Sequence, residues 1–160
     1  IQSMIKDVDV AALSGQVQQE KGDWYNADLA ERSVYALTEE LGKKGFAFVD
    51  VTPELEKTSG NKMVLTFNIA EGQRVFVDRI NITGNTRTED EVIRREFRID
   101  EGDAFNAAKI RASRRNVENL NYFSKVDIQT EPNPNDDSKA DINVNVEEKS
   151  TGAFNVGVGY

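Results

Sequence analysis

Apolar residues recur along this chain at two periods, one typical of helices and one typical of strands. Between residues 26 and 41 they fall three or four positions apart, as in an amphipathic helix packed on a sheet. We expect Asn26 to be the N-cap of this helix and Gly42 to be the left-handed residue that ends it. Trp24, at the entrance of the helix, is expected to pack in the core. The apolar positions of the helix are Ala27, Ala30, Val34, Leu37 and Leu41.

Two predicted strands follow this helix and form a hairpin. They cover residues 46–55 and 62–70, and residues 58–61 supply the turn. The second strand alternates apolar and polar residues, so its apolar side chains should share the inward face. A shorter helix is predicted over residues 8–17, before the long one. The inward residues predicted for the second strand are Met63, Leu65, Phe67 and Ile69.

Residues 74–103 predict a complete strand, a turn and a helix in that order. A β-branched run predicts a strand, and Gly84-Asn85 offers residues that tolerate positive φ and would turn the chain. Thr88 followed by Glu91 matches a capping box at the start of a helix. The strand residues are Val75, Val77, Ile80 and Ile82, and the predicted buried face of the helix is Val92, Ile93 and Phe97.

The chain contains an internal repeat. A shift of 80 places residues 20–27 on residues 100–107, and the two segments share their charged, glycine and asparagine positions. Further along, a shift of 77 places residues 49–51 on residues 126–128. Because the apolar positions coincide as well, each copy is predicted to have the element order β-α-α-β-β.

The repeat also sets the predicted domain boundaries. We expect one domain over residues 1–72 and a second over residues 73–149, followed by a different element from residue 150. Ile1 aligns with Asn81, so the first copy is expected to begin midway through its first strand.

The second copy repeats the helix and the hairpin of the first. Asn106 is expected to cap its second helix, and strands are predicted over residues 122–130 and 139–148. Pro132 and Pro134 should keep the polar connection between these strands out of the ladder, because proline has no N–H to donate. The predicted buried stripe of the helix is Ile110, Val117 and Leu120, and its predicted solvent side is Lys109, Arg111, Arg114 and Arg115.

The last ten residues depart from the repeat. Bulky apolar residues alternate there with small or polar ones over the length that a strand needs to cross an outer membrane. A soluble edge strand would show the same alternation, but it would not explain why the segment follows two complete copies. We therefore predict the first strand of an outer-membrane barrel, with four side chains facing lipid: Phe154, Val156, Val158 and Tyr160.

Composition narrows the possible functions. The 160 residues include no cysteine and no histidine, which excludes disulfide frameworks, thiolate or imidazole metal sites and Ser-His-Asp triads from this sequence. The net charge of −8 disfavours nucleic acid or an anionic membrane surface as the main partner. The acidic turns at residues 20–23 and 100–103 lack the ligand spacing of a calcium-binding EF-hand. No cofactor or metal is expected.

Three features together resemble a known family. They are the doubled β-α-α-β-β unit, the motif ITGNTRT at residues 82–88 with VIRRE at residues 92–96, and the closing segment EKSTGAFNVGVGY at residues 148–160. This combination resembles the BamA family, whose members are central subunits of the outer-membrane β-barrel assembly machine. The resemblance covers the whole chain and corresponds to the last two polypeptide-transport-associated (POTRA) domains, with the start of the barrel.

The resemblance implies a module without enzymatic activity at the periplasmic face of the bacterial outer membrane. Such a module would bind accessory lipoproteins and guide unfolded outer-membrane protein clients toward the barrel. It also implies an α+β fold with two three-stranded mixed sheets, each packed on two antiparallel helices. Because two antiparallel helices return the chain to the end of the sheet that it left, we expect strand order 1-3-2 in each sheet.

Strand order 1-3-2 leaves the second strand of each copy at an edge. Unpaired backbone groups at such an edge can accept a client strand by β-augmentation, with little demand on the client's sequence. The residues predicted for these client edges are Phe46, Phe48, Val49 and Val51 in the first copy, and Phe123, Lys125, Asp127 and Gln129 in the second.

A group of charged residues in the second copy is the predicted lipoprotein site. Three arginines and two carboxylates there would form a patch of mixed charge suited to paired docking. The alternative is a solvated helix face, since Asp90 to Arg94 and Glu91 to Arg95 have ordinary i,i+4 spacing. The residues predicted for partner binding are Arg94, Arg95, Arg98, Glu101 and Asp103.

Three other functions compete with this interpretation. A two-partner secretion transporter also places two POTRA domains before a barrel. A nucleic-acid module related to KH domains would need a GxxG clamp between its helices, where this chain is acidic. A carboxylate hydrolase would need two particular acids brought together, and the sequence pattern singles out no such pair.

Overall fold

The computed structural model describes residues 1–150. Its described residues divide into two compact units, one made of Ile1–Arg74 with Ala104–Lys109 and the other made of Val75–Asp103 with residues 110–150. Each unit contains a three-stranded mixed sheet in which the third strand lies between the first and the second. The predicted α+β fold and strand order 1-3-2 are therefore confirmed. The predicted barrel strand lies outside the described residues.

The first unit contains the sheet order β1-β3-β2. Strand β3 runs parallel to β1 and antiparallel to β2, whose pairing continues without a bulge from Val49↔Glu71 to Lys57↔Met63. The elements are β1 (Gln2–Ser3), α1 (Val10–Leu13), a 3₁₀ turn (Ser14–Gln16), α2 (Ala27–Lys43), β2 (Val49–Lys57) and β3 (Met63–Glu71).

Helix α2 begins where the sequence predicts and ends two residues later than predicted. The Asn26 side chain accepts hydrogen bonds from the backbone N–H groups of Asp28 and Leu29, which confirms the N-cap. The helix continues through Gly42, so Gly42 is not its left-handed stop. Gly45 has the positive φ of 94° instead. The Gly45 N–H donates to the Gly42 carbonyl and the Phe46 N–H to the Leu41 carbonyl, the two bonds of a Schellman cap.

The core of the first unit lies between α2 and the sheet. Val34, Leu37 and Leu41 are fully buried there, and Phe67 and Ile69 of β3 meet them from the sheet. Three predictions for this layer are wrong. Trp24 is 89% exposed, Met63 is 48% exposed at the end of the hairpin, and Ala27 is also exposed.

The second unit has the order β4-β6-β5, with β6 parallel to β4 and antiparallel to β5. Helix α4 belongs to this unit from Ile110 onward, and its buried stripe includes Ala112 and Val117. The Lys109 N–H donates to the Asn106 side chain, as expected for an N-cap. The elements are β4 (Phe76–Thr83), α3 (Asp90–Arg94), α4 (Ala107–Asn119), β5 (Phe123–Asn133) and β6 (Asp136–Glu148).

The β5–β6 hairpin is longer than predicted. Pro132 pairs with Ala140 inside the ladder, and only Pro134 and Asn135 lie between the two strands. The prediction that the proline-containing connection stays outside the ladder is therefore wrong. An edge strand can hold a proline wherever the missing N–H would have pointed away from the neighbouring strand.

The turn after β4 depends on glycine but not on a capping box. Gly84 has φ 87°, and a Cβ there would lie 1.9 Å from the Val146 carbonyl oxygen, so only glycine fits. Helix α3 begins at Asp90 with Glu89 as its N-cap, and that N-cap makes no side-chain bond. The predicted box of Thr88 and Glu91 is thus wrong, because the backbone N–H of Thr88 lies outside the helix and donates to the Glu148 carboxylate.

Candidate functional site

Strands β2 and β5 both lie at sheet edges, as the predicted client edges require. Within residues 1–150, β2 pairs with β3 and β5 pairs with β6, and neither has a second neighbour in its sheet. In an antiparallel pair, alternate residues direct both N–H and C=O toward the partner strand, and the others direct them away. At each edge, every second residue therefore directs its backbone away from the partner strand.

The predicted residues of the first edge fall partly outside strand β2. Val49 and Val51 belong to the strand, and their side chains are buried in the core. Phe46 and Phe48 precede the strand. The Phe48 carbonyl accepts from the Gly72 N–H, and the Arg74 guanidinium lies 5.9 Å from the centre of the Phe48 ring. Of the four predicted residues, only the two valines therefore lie in the strand edge, and the Val49 carbonyl already accepts from the Asn106 side-chain amide at 3.0 Å.

All four predicted residues of the second edge lie in strand β5. The Phe123 side chain is buried, whereas Lys125 and Gln129 are exposed and Asp127 is half-buried. One face of β5 is thus apolar and packs on the core, and the other is polar. A strand added beside β5 would extend both faces.

The outer edge of β4 is already occupied by the turn between α3 and α4. Gly102 N–H donates to the Val77 carbonyl, and Val77 N–H donates to the Asp103 carbonyl, at 2.7 Å and 2.8 Å. The turn itself is held by the Asp103 carboxylate, which accepts from the Asp100 N–H. The predicted partner residue Asp103 therefore has a structural role in this turn.

Arg94 and Glu101 occupy the outward backbone N–H and C=O groups of Ile80 in β4. The Glu101 Oε1 accepts from the Ile80 N–H at 3.0 Å, and the Arg94 Nη2 donates to the Ile80 carbonyl at 2.7 Å. The two side chains also form an ion pair with an N–O distance of 3.6 Å. Arg94 thus pairs with Glu101 rather than with Asp90, whose carboxylate accepts from the Asn85 amide.

These residues border an open cleft of about 260 Å³ in the second unit. Its floor is apolar, and its rim combines one guanidinium with two carboxylates, so the cleft suits an apolar side chain beside a charged or polar group. The lining residues are Ile80, Arg94, Phe97, Ile99, Asp100 and Glu101.

The two remaining arginines of the predicted patch lie outside this lining. Arg95 follows α3 as its C-cap and is exposed, and the Arg98 side chain is exposed as well. The backbone N–H of Arg98 donates to the Ser113 hydroxyl. The structure therefore brings Arg94 and Glu101 together, and it leaves Arg95 and Arg98 on the surface.

A buried serine in each unit was not predicted. Ser113 and Ser33 are both fully buried, and each hydroxyl accepts a backbone N–H bond of 2.8 Å, from Arg98 and Gln18 respectively. The shift of 80 that aligns the two copies also places Ser33 on Ser113 and Gln18 on Arg98. The repeat could have indicated this shared contact in advance.

Glu148, at the end of β6, is a second residue that was not predicted. Its carboxylate accepts from the backbone N–H groups of Arg87 and Thr88 at 2.7 Å and 2.9 Å, and the Arg87 side chain pairs with it at 3.3 Å. The hydrogen bond from the Arg87 N–H is the main cause that holds the pKa of Glu148 below its usual value. This carboxylate ties the turn before α3 to the end of the sheet.

No group of three or more acidic side chains in residues 1–150 is arranged to hold a metal ion. None of the helices in that part of the chain is long and apolar enough to span a membrane. The four predicted lipid-facing residues lie outside the described residues.

The family to which the chain belongs follows from its sequence. The family described as "POTRA: Surface antigen variable number repeat" matches residues 5–72 and again residues 75–149. The two matches together cover most of the chain, and they fall on the two copies that carry the β-α-α-β-β plan. The chain therefore belongs to the POTRA family.

Curated relatives identify the kind of protein in which similar domains occur. The chain is 32% identical over 154 residues to the outer membrane protein assembly factor BamA of Neorickettsia risticii, covering 96% of this chain and 21% of the relative. It is 29% identical over 161 residues to BamA of Neisseria meningitidis, covering all of this chain and 20% of the relative. The predicted resemblance to the BamA family is confirmed, and the chain spans about a fifth of these relatives.

A solved structure agrees with the fold. The structure of BamA from Haemophilus ducreyi lacking POTRA domains 1–3 superposes with a TM-score of 0.54 and 19% identity, covering 93% of this chain and 28% of that one. At this identity the similarity shows the fold alone.

Proposed function

We propose that this chain is a periplasmic scaffold of the outer-membrane protein assembly machine. It binds accessory lipoproteins through its second unit and guides unfolded barrel clients by pairing with them along a sheet edge. The family membership and the BamA relatives support the setting at the periplasmic face of the outer membrane. The module acts by binding and carries out no catalysis.

The observation that carries the client function is the position of β5. This strand is 11 residues long and has a neighbour on one side only within the described part of the chain. Main-chain pairing gives affinity without requiring a particular sequence, which suits a scaffold that handles many unfolded clients. The client is proposed to lie along residues 123–130, the stretch that contains the predicted residues Phe123, Lys125, Asp127 and Gln129. The backbone groups of Lys125, Asp127 and Gln129 face β6, so the client would pair with the residues between them, and the side chains of Lys125 and Gln129 would form the polar face beside it.

NMR titration of the isotopically labelled chain with soluble peptides copied from barrel strands tests this function. The backbone amides of residues 123–130 should shift first and saturably, and scrambled peptides that retain β propensity should act similarly because the pairing is through the main chain. Shifts confined to the solvent faces of α2 and α4 would show that clients are held by the helices instead.

The lipoprotein site is proposed at the cleft that Arg94 and Glu101 border. The cleft offers an apolar floor with charges of both signs at its rim, and Arg95 and Arg98 extend the positive charge over the adjacent surface. Charges of this kind at an interface steer association and select the partner. Asp103 contributes by holding the turn that presents Glu101.

A further inference from the structure

We propose that the two units differ in their ability to accept a strand: Pro53 closes the β2 edge, whereas the β5 edge is open at the equivalent residue, Thr130. The occupant of the open edge is an extended segment of an unfolded polypeptide. This inference rests on the proposed client function and names the one strand that performs it.

Hydrogen bonds at both ends of β2 show which of its residues point outward. Phe48 O accepts from Gly72 N–H before the strand, and Thr58 N–H donates to Lys62 O after it. Both residues are even-numbered, and the pairing between them has no bulge. Because antiparallel pairing alternates, the even residues of β2 bond to β3 and the odd residues face away.

Pro53 is therefore one of the outward residues of β2. It lies at the middle of the strand, opposite Phe67. Proline has no N–H, and its ring occupies the space through which an added strand would approach. An incoming strand would lose the central bond of the edge and meet the ring. Proline at such a position is a known protection of sheet edges against unwanted pairing.

Strand β5 lacks this obstacle over residues 126–130. The Tyr122 carbonyl accepts from the Lys149 N–H, and the one-residue shift of register between Phe123 and Lys125 reverses the alternation after that point. From Lys125 onward the odd residues therefore bond to β6, and Val126, Ile128 and Thr130 face away. The Arg114 Nη2 donates to the outward Ile128 carbonyl at 3.4 Å. The shift of 77 that places Val49 on Val126 also places Pro53 on Thr130. Thr130 keeps its N–H, and the first outward proline comes only at Pro132.

The other two sheet edges in residues 1–150, those of β1 and β4, are not available to an added strand in the same way. Strand β1 has only two residues. The outer groups of β4 at Val77 and Ile80 already bond to the turn that contains Glu101 and to Arg94. Strand β5 is left as the edge with consecutive outward groups.

The two faces of β5 indicate the chemistry of the occupant. Ile128 is buried and Val126 half-buried on one face, whereas Lys125 and Gln129 are exposed on the other. An added strand continues both faces, so a segment that alternates apolar and polar residues fits best. The long Arg114 contact does not block the site, because a carbonyl oxygen has a second lone pair for the N–H of the incoming strand.

A reciprocal exchange of the two residues tests the proposal. Thr130→Pro places a proline at the outward position of β5 that matches Pro53 in β2. Pro53→Thr removes the proline from β2 and restores an outward N–H there. The probe is a soluble synthetic peptide in which valine and threonine alternate, and its control carries N-methyl groups at alternate amides. Affinity is measured by fluorescence anisotropy, and the edge that binds is identified from amide shifts in NMR spectra of the full chain.

In the parent chain we expect shifts along β5 and none along β2. Thr130→Pro should weaken binding by about tenfold or more, which corresponds to roughly 1.4 kcal/mol. Pro53→Thr should add shifts along β2, and the N-methylated peptide should bind neither edge. Melting curves check that both variants fold. If Thr130→Pro does not fold, the shifts seen with Pro53→Thr and the binding of the N-methylated peptide test the proposal instead.

The outcomes separate this inference from the proposed function. Equal shifts along β2 and β5 in the parent would overturn the role of Pro53 and leave the client function intact. No binding by the parent, with a new site on β2 in Pro53→Thr, would support the role of Pro53 and overturn the client function of β5. Unchanged affinity in Thr130→Pro would overturn the assignment of β5 as the open edge.

Discussion

At the scale of single residues, buried polar atoms decide how each copy is held together. Ser33 and Ser113 lie on apolar helix faces where the sequence pattern leaves room for small residues. Each hydroxyl accepts an N–H from the chain that precedes its helix, so a polar backbone group is satisfied inside the unit. Buried hydroxyls of this kind do not appear in an apolar pattern, and only the comparison of the two copies could have revealed them.

Ser113→Ala should destabilise the second unit by about 1 to 3 kcal/mol. The reason is that the Arg98 N–H would remain in the interior without an acceptor. Urea denaturation of the parent and the variant measures the difference. Ser33→Ala should have a similar effect in the first unit, and Ser14→Ala, at an exposed serine, should stay within about 0.5 kcal/mol. If Ser113→Ala behaved like Ser14→Ala, the hydroxyl would not be needed to satisfy this N–H.

At the scale of elements, the sequence predicts which elements exist better than where they end. The apolar period of α2 stops at Leu41, which made Gly42 the natural stop. The helix continues because glycine is tolerated inside a helix at a cost of about 1 kcal/mol, while Gly45 supplies the positive φ that the cap requires. Similarly, Pro132 stays in β5 because its missing N–H faces outward at an edge.

The turn after β4 is held by a contact that no local pattern contains. Glu148 lies about 60 residues from Thr88 in sequence, and it satisfies two backbone N–H groups of the turn. The local motif of Thr88 and Glu91 predicted a different arrangement, a capping box. A partner so distant in sequence can reorganise a turn without leaving a local signal.

Glu148 should make the stability of the second unit depend on pH. Its folded pKa is lowered, chiefly by the Arg87 N–H bond, so its contribution is present above the ordinary carboxylate pKa and is lost as the pH falls through the folded pKa. The unfolding free energy of the parent should therefore fall more steeply below about pH 4.5 than that of Glu148→Gln. Denaturation curves at several pH values measure both slopes. Parallel slopes would show that the carboxylate is not selectively stabilised in the folded state.

At the scale of the whole molecule, the internal repeat made the fold predictable. Two copies of β-α-α-β-β limit the topology strongly, and both sheets have the predicted order. The candidate site was less predictable, because Arg94 and Glu101 contact the backbone of Ile80 from positions 14 and 21 residues further along the chain. Their position in a charged cluster indicated a surface, but not that the two side chains also hold a strand in place.

This double role of Glu101 determines how lipoprotein binding should be tested. The charge reversal Glu101→Lys would remove both the charge and the acceptor for the Ile80 N–H, so a loss of binding would be ambiguous. Glu101→Gln keeps an amide oxygen that can accept this bond and removes only the charge. The control is Glu56→Gln, the same change at an exposed position of β2.

We expect immobilised Glu101→Gln chain to retain assembly-machine lipoproteins from an outer-membrane extract at least tenfold less well than the parent. Removing one member of a desolvated interfacial charge pair costs about 2 to 5 kcal/mol, while the melting temperature should stay close to that of the parent because the Ile80 contact persists. Mass spectrometry of the retained proteins and melting curves measure the two effects. Glu56→Gln should change neither. Equal retention by Glu101→Gln and the parent would show that the Glu101 carboxylate serves the fold and not the lipoprotein.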